Sequence, residues 1–199
     1  MMQNTTNQPQ LPKGWVETEL DNICWKITDG THKTPKYQSR GIRFISIKNI
    51  RPFKPIDWDS YERYISEEEH EELLKRCKPE KDDILFPRIG TLGFAKRIDF
   101  DEEISIFVGL GLLKPIKPLI NPSYLEYYMN TPFIDTISRE RANGTGRLTL
   151  PLEESRKFPV KLAPLPEQHR IVAKIDELLT RLDAGVEALN KIKLQLKRY

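Results

Sequence analysis

The most informative stretch of the sequence is residues 162–172, LAPLPEQHRIV. Its two prolines close an extended segment, and Pro166 followed by Glu167 is typical of the first turn of a helix. Beyond it, apolar residues recur at alternating intervals of four and three, the heptad pattern of a helix that pairs with another helix. These stripe residues are Ile171, Ile175, Leu178, Leu182, Leu189, Ile192 and Leu196, with Gly185 at the one weak position.

The length of this helix bears on how it is used. A helix from Glu167 to Tyr199 would be ~50 Å long at a rise of about 1.5 Å per residue, and it could not bury its stripe against itself. Two interpretations follow: a terminal helix docked on its own domain, or a helix that pairs with a partner helix. The length and regularity favour the partner helix.

The residues before this helix carry signals of short strands and short helices in alternation. Ser66 and Glu69 have the form of a capping box, which opens a helix that reaches about Arg76. Asn121-Pro122 and Thr131-Pro132 each start a further short helix. Strands are predicted at residues 42–50, 84–86 and 94–98 and between 104 and 113, and a last extended segment reaches Pro164.

The 199 residues are therefore predicted to form one irregular α+β domain with a helical appendage. The domain occupies residues 11–163, a disordered tail precedes it at 1–10, and the long coiled-coil-type helix follows at 164–199. With 31% charged residues and no apolar run near the ~20 residues of a membrane span, we expect a soluble cytoplasmic protein.

The sequence gives no support to disulfide or metal chemistry. Cys24 and Cys77 lie far apart, which favours buried, reduced thiols. The three histidines are equally scattered, so we predict no metal site.

Two motifs suggest an enzyme. Residues 107–111, FVGLG, resemble the glycine loop of S-adenosylmethionine-dependent methyltransferases, and residues 121–124, NPSY, resemble the element that holds a flipped adenine in amino-methylating enzymes. Such a glycine loop should leave a strand and enter a helix, but Pro115 and Pro118 follow it, and only nine residues separate the motifs. The sequence also contains no phosphate-binding loop and no Asp/Glu-x-Lys nuclease triplet. We therefore rank adenine methyltransferase last among the functions considered.

Basic residues gather in segments that are predicted to be loops or strand ends. One group lies in residues 33–43, a second surrounds the glycine loop 90–93, and a third surrounds residues 143–146, NGTG. Glycine-containing loops can approach DNA closely, and Arg, Lys, Asn and Thr supply contacts to phosphates and base edges. The net charge is only +3, so charge alone fits an ordinary solvated surface equally well.

Five stretches, taken together, match one known family. They are residues 11–15 (LPKGW), 29–32 (DGTH), 45–50 (ISIKNI), 82–93 (DDILFPRIGTLG) and 162–172. Together they resemble the specificity subunit of type I restriction-modification systems. They are spread over nearly the whole chain after residue 10, and residues 162–172 leading into the long helix form the most specific match.

The resemblance implies a DNA target-recognition domain followed by a conserved spacer helix. In that family a subunit carries two such domains, each reading one half of a split DNA target, and long helices that pack antiparallel and hold the methyltransferase subunits. This sequence has one domain and one helix, so it resembles half a subunit or an N-terminal fragment. A half-length chain that dimerises through the stripe would read a symmetric, interrupted target.

The resemblance further implies a non-catalytic chain that binds double-stranded DNA and methyltransferase (modification) subunits, and the restriction subunit indirectly. No cofactor is expected on this chain, whereas the partner subunits are expected to use S-adenosylmethionine, ATP and Mg. The second function considered is a non-enzymatic adaptor that binds protein through its domain and pairs through its helix.

The predicted DNA contacts combine these two arguments. Only the group from Arg88 to Thr91 lies in a stretch that carries the resemblance, and the others follow from charge and predicted loop placement. The predicted base or phosphate contacts are Lys33, Lys36, Arg40, Arg43, Arg88, Thr91, Lys96, Arg97, Thr145 and Arg147.

Overall fold

The computed structural model describes residues 11–196. The predicted tail at 1–10 and the last three residues of the predicted helix lie outside the described residues. Within 11–196 the helices are α1 (Glu67–Leu74), α2 (Pro122–Met129), α3 (Pro132–Glu140), α4 (Leu152–Arg156) and α5 (Leu165–Leu196). The strands in the same range are β1 (Val16–Glu19), β2 (Cys24–Asp29), β3 (Ile42–Ile45), β4 (Tyr64–Ile65), β5 (Ile84–Pro87), β6 (Lys96–Arg97), β7 (Ile104–Ile106), β8 (Leu110–Pro115) and β9 (Pro159–Leu162). The predicted α+β class with a long last helix is confirmed.

An antiparallel sheet of four strands, ordered β2-β8-β5-β6, forms the centre of the domain. Its side chains alternate between two hydrophobic clusters, as the pleat of a strand requires. In β5, Ile84 and Phe86 enter one cluster and Leu85 enters the other. In β8, Leu113 and Leu112 divide in the same way. Both faces of this sheet are therefore covered, which explains why its strands are continuous apolar runs in the sequence.

A second sheet, ordered β4-β3-β7, covers one face of the central sheet. Strands β3 and β7 are parallel, with Phe44 opposite Ser105 and Ile45 opposite Ile106. A parallel pair requires a long crossover, and residues 46–103 supply it. This pairing brings the ends of two distant segments to the same edge of the domain.

Helices α2 and α3 cover the other face, and their first turns are capped as predicted. The Asn121 side-chain oxygen accepts hydrogen bonds from the N–H groups of Ser123 (2.8 Å) and Tyr124 (3.1 Å). The Thr131 hydroxyl accepts from the Ile134 N–H, and the Ser66 hydroxyl caps α1. These side chains satisfy N–H groups that have no partner inside the helix.

Four predicted extended segments are shorter or interrupted. The strand predicted at 94–98 comprises only Lys96–Arg97. The strand predicted at 42–50 ends at Ile45, because the Asn49 side-chain oxygen accepts from the Ser46 N–H (3.0 Å) and bends the chain. The segment between 104 and 113 forms two strands, since the Leu110 N–H donates to the Phe107 carbonyl (2.8 Å) in a turn. The extended segment before Pro164 contains α4. The FVGLG motif is therefore a turn that runs into β8, a geometry unlike the strand-loop-helix of a methyltransferase glycine loop.

Only the first turns of α5 are attached to the domain. Ile171 and Val172 pack against the cluster under α2. The Gln168 side chain is fully buried, accepts from the Asn121 N–H (2.8 Å) and donates to the carbonyls of Leu119 (3.0 Å) and Ala163 (2.8 Å). Within residues 11–196, no helix combines the length and apolar character needed to cross a membrane.

Candidate nucleic-acid interface

Four segments that are separated in sequence meet at one edge of the domain. The Phe107 N–H donates to the Ile45 carbonyl (3.0 Å), and the Arg88 N–H donates to the Gly109 carbonyl (2.8 Å). The Gly90 N–H donates to the Leu148 carbonyl (2.8 Å), which attaches the loop 143–149 to the same edge. Backbone hydrogen bonds therefore fix the positions of these loops whatever their side chains are.

A hollow of about 190 Å³ lies between these segments, and we call it the Tyr61–Phe107 cleft. Its lining residues are Ser46, Ile47, Lys48, Tyr61, Arg63, Phe107, Gly109 and Arg147. The Lys48 ammonium lies 4.8 Å from the centre of the Tyr61 ring. A cation over an aromatic face is stabilised by the ring quadrupole. The cleft thus combines aromatic walls with cationic groups, the combination that nucleic-acid surfaces use.

Asn49 holds the Tyr61 wall in place. Its side chain is buried, and its amide nitrogen donates to the carbonyls of Asp57 (2.9 Å) and Tyr61 (3.2 Å). The neighbouring Arg63 is held by Tyr37, since its guanidinium lies 4.6 Å from the ring centre and donates to the hydroxyl at 3.0 Å. Tyr61 and Arg63 are therefore held in position by contacts within the protein, without a ligand.

The cations of the cleft have no acidic partners in the described part of the chain. Among residues 11–196, no carboxylate oxygen lies within 4.0 Å of the side-chain nitrogens of Lys48, Arg63 or Arg147. Their positive charge is therefore not cancelled locally. An anion such as a phosphate would gain the full attraction of the three groups.

Three of the predicted contact residues lie at this edge. Arg147 lines the cleft, Thr145 is exposed in the same loop, and Thr91 is exposed directly after Gly90. Arg43 is adjacent, because its guanidinium lies 4.6 Å from the Trp58 ring centre and lines a smaller hollow that shares Tyr61 and Arg63 with the cleft. The structure thus brings basic residues of the first and third loop groups together, with Thr91 of the second group at the same edge.

The first basic loop lies beside this edge. Lys33, Lys36 and Arg40 are exposed, and among residues 11–196 no carboxylate oxygen lies within 4.0 Å of their side-chain nitrogens. The backbone N–H of Lys36 donates to the Glu69 carboxylate (3.1 Å). The loop starts at Gly30, where an added Cβ would lie 2.1 Å from the Ile106 carbonyl oxygen. Only glycine fits there, which gives the DGTH motif a structural reason.

Arg88 lies behind the edge instead of on it. Its guanidinium pairs with the buried Asp29 carboxylate, and its Nε–H donates to the Leu150 carbonyl (3.2 Å). Arg76 and His32 bind the same carboxylate, so Asp29 joins three basic side chains. Burial lowers the pKa of Arg88, and the Asp29 charge opposes that shift. Asp29 and its three basic partners, which we call the Asp29 hub, therefore connect the first basic loop to the end of β5.

Lys96 and Arg97 lie in a different part of the domain, next to α5. The Glu126 carboxylate lies 3.6 Å from the Lys96 ammonium and 3.8 Å from Arg97 Nε. Arg97 also pairs with Asp82 at 3.0 Å. With Tyr127 they line a separate hollow, which the structure does not bring together with the Tyr61–Phe107 cleft.

Of the eight residues that line the cleft, sequence reasoning predicted only Arg147 as a contact. The charged and aromatic residues that it omitted are Lys48, Tyr61, Arg63 and Phe107. Basic residues interleaved with aromatics were the available signal, since residues 61–64 read YERY. That pattern is typical of surfaces on which bases stack.

The helix stripe divides into an attached part and an exposed part. Ile171 and Ile175 are partly buried, whereas Leu178, Leu182 and Leu189 are 51–68% exposed. Ile192 and Leu196 continue the exposed part. Tyr127 donates its hydroxyl hydrogen to Asp176 and fixes the direction in which the stripe leaves the domain. A row of large apolar side chains in water is typical of a surface that a partner covers.

The fold and the sequence together define the class of protein. A family model described as the type I restriction modification DNA specificity domain matches residues 12–198. The chain belongs to this family.

Among characterised proteins, the chain is similar to the type I restriction enzyme EcoBI specificity subunit of Escherichia coli. The two are 26% identical over 183 residues, which cover 90% of this chain and 38% of that subunit. The chain therefore spans about two fifths of the length of this relative.

Two solved structures share the fold. One, from a study of complex assembly and conformational transition of the type I R-M system, has a TM-score of 0.72 at 20% identity and covers 95% of this chain and 44% of its own. The other is the HsdS subunit from Thermoanaerobacter tengcongensis, with a TM-score of 0.59 at 18% identity, covering 88% of this chain and 44% of its own.

Proposed function

We propose that this chain recognises one half of a split DNA target in the cytoplasm and performs no catalysis itself. The observation that carries the proposal is the Tyr61–Phe107 cleft, where Lys48, Arg63 and Arg147 lie beside aromatic walls and have no acidic partner among residues 11–196. Membership of the specificity-domain family supports it. Methyl transfer then belongs to a partner subunit, and S-adenosylmethionine, ATP and Mg are bound by partners.

The proposed contacts follow the geometry of the edge. The three cleft cations hold phosphates and fix the position of the domain along the DNA, while Thr91 and Thr145 face base edges beside them. Lys33, Lys36 and Arg40 extend the contact to phosphates on one flank, and Arg43 supports the wall of the cleft. Arg88, Lys96 and Arg97 stay predictions from the sequence, and their side chains engage carboxylates in this structure.

The test is DNA binding as a function of salt. We expect the chain to select a specific sequence from a randomised duplex library, with an affinity that falls as salt rises. A triple variant with Lys48→Ala, Arg63→Ala and Arg147→Ala should lower the salt slope by about 3, or about 1 for each lost phosphate contact.

The matched control removes the same charge elsewhere. Lys174, Arg181 and Lys191 are exposed on α5 and pair with Glu177 or Glu187. Their triple alanine variant should keep the salt slope of the parent chain. Equal losses in both triple variants, or no sequence selection by the parent, would reject the proposed function.

The exposed part of the stripe on α5 supports a second element of the proposal. We propose that it docks methyltransferase subunits, reaches the restriction subunit through them, and pairs with the helix of a second copy. Two copies related by a two-fold axis would read a symmetric, interrupted target.

Molar mass in solution, with and without a methyltransferase subunit of the same system, tests this element. Leu182→Lys with Leu189→Lys should abolish pairing, whereas Lys174→Ala on the same helix should not. A monomer that captures no methyltransferase subunit would contradict the docking role while leaving the DNA-binding test unaffected.

A further inference from the structure

Phosphate binding alone does not account for the apolar part of the Tyr61–Phe107 cleft. Ile47, Tyr61 and Phe107 supply hydrocarbon and aromatic surface beside three cationic side chains. Phosphates are held by cations, N–H groups and hydroxyl groups, and the side chains of Ile47 and Phe107 supply none of these. The apolar walls therefore call for a second, uncharged group on the same ligand.

A buried aromatic neighbour, Phe44, keeps the Phe107 ring in position. Its ring centre lies 6.3 Å from that of Phe44 in an edge-to-face contact, and Phe44 is 2% exposed. Tyr37 contacts Phe44 in the same manner at 5.7 Å. Such pairs contribute beyond their burial, so the wall keeps its shape when the cleft is empty.

Gly109 keeps the cleft open. An added Cβ would lie 3.0 Å from Ile47 Cδ1 and 3.7 Å from Phe107 Cδ1, between the two apolar walls. Its backbone does not have the positive φ that favours glycine. A side chain at this position would therefore fill the cleft without straining the backbone.

The size of the cleft limits what it can take. Its volume of about 190 Å³ is below the roughly 300–1,000 Å³ of pockets that hold drug-sized molecules or cofactors. A part of one base fits this space better than a whole nucleotide cofactor. In the major groove of a duplex, the apolar group among the base edges is the C5-methyl of thymine, and phenylalanine is one of the side chains that contact it.

We infer that the cleft identifies one thymine of the target by its C5-methyl group, with Phe107 as the specificity-determining residue. This inference rests on the proposed function. The three cations hold the neighbouring phosphates, and the methyl group enters between Ile47 and Phe107. A 5-methylcytosine carries the same methyl group in the same groove and is the other source of this chemistry.

The experiment couples a change in the DNA to a change in the protein. The full chain first selects its sequence from a randomised duplex library, and each thymine of that sequence is then replaced by uracil. At one thymine, we expect the loss of the methyl to weaken binding about fourfold. In the Phe107→Ala variant the same replacement should have no effect, and the salt slope should equal that of the parent chain.

Two further variants make the outcome independent of any folding defect. Phe107→Leu keeps an apolar wall and should retain part of the discrimination, whereas Gly109→Ala should abolish it by filling the cleft. Phe133→Ala is the control, because Phe133 is 48% exposed on α3 and does not line the cleft. Thermal melts of each variant report folding.

The possible results separate the inference from the proposed function. Absence of sequence selection by the parent chain rejects both. Sequence selection in which every uracil replacement costs the same in the parent and in Phe107→Ala rejects the inference and leaves DNA recognition standing. Placing 5-methylcytosine at the identified position distinguishes the sources: restored binding means that the methyl group is read, and no restoration means that the thymine carbonyl is also needed.

Discussion

The cations of the Tyr61–Phe107 cleft and the cations of the domain interior differ in what faces them. Arg88 and Lys114 are 11% and 2% exposed, and each is paired with a buried aspartate. Lys48 and Arg147 are exposed, and no carboxylate among residues 11–196 lies within 4.0 Å of either. A buried charge must be neutralised because desolvation is costly, whereas an exposed charge is free to bind an anion. The basic residues of this sequence therefore divide into two sets. The structural set pairs with buried carboxylates, and the proposed binding set is exposed and available to an anion.

Loss of the Asp29 charge should have the largest effect. Asp29→Asn leaves the buried Arg88 guanidinium without its counter-ion, so we expect the free energy of unfolding to fall by about 3–5 kcal/mol. Urea unfolding measures the change. Glu72→Gln removes one side of an exposed ion pair with Lys75, and as the control it should cost less than about 0.5 kcal/mol. An unchanged midpoint for Asp29→Asn would mean that the hub does not stabilise the fold.

Loss of the Lys114 charge should come next, and its effect should depend on pH. Burial raises the pKa of Asp83 above its ordinary value, and the hydrogen bond from Lys114 opposes the rise. Because the pKa of Asp83 is higher in the folded state, its protonation stabilises the fold, and this stabilisation is fully present below the unfolded pKa of about 3.9. It is lost as the pH rises through the folded pKa. Lys114→Met should raise that pKa further, so its unfolding free energy should fall by about 3 kcal/mol at pH 7 and by less at pH 4. A pH-independent loss would show that Asp83 does not titrate in this range.

Arg147→Ala should change binding and leave stability alone. We expect its unfolding free energy to stay within about 0.5 kcal/mol of the parent. Its affinity for the selected duplex should fall about tenfold, with a salt slope lower by about 1, because one phosphate contact is lost. Lys75→Ala, directly after α1, is the control for a lost surface charge. Equal affinity for Arg147→Ala and the parent would place Arg147 outside the binding set.

Arg97→Ala should have the smallest effect on DNA binding. Its pairing with Asp82 and its position beside α5 predict an affinity within about twofold of the parent and an unchanged salt slope. Binding titrations at several salt concentrations measure both. A slope lower by about 1 would instead establish Arg97 as a phosphate contact, as the sequence predicts, and would break the division into two sets.

Local signals predicted α1, α2, α3 and α5 because the causes of these helices are local, but they did not predict α4, which lies in a segment predicted to be extended. Ser66, Asn121 and Thr131 cap helices with their own side chains, and each lies within three residues of the N–H that it binds. Strand ends were harder to predict, since the end of β3 depends on Asn49 and the break before β8 on a turn at Phe107. An apolar run does not reveal such a turn by its period.

The cleft could not be predicted because its parts come from distant segments. Ile47, Tyr61 and Phe107 come together because β3 pairs in parallel with β7 and Asn49 positions the loop at Tyr61. The sequence indicated basic loops but did not tell which cations find carboxylates. Arg88 illustrates the limit: it follows a strand in a glycine-rich stretch, yet it binds Asp29, which is distant in sequence.

The loop 143–149 is attached by its backbone, through the Gly90–Leu148 hydrogen bond and the mutual hydrogen bonds of Asn143 and Thr149 (2.8 Å each). Its exposed side chains at 145 and 147 carry little of the packing, so exchanging them costs the fold little. Under the proposed function, substitutions at these positions would therefore change the DNA preference before they lower the stability of the fold. With the loop attached by its backbone, such a domain could acquire a new preference by a few substitutions and keep its scaffold.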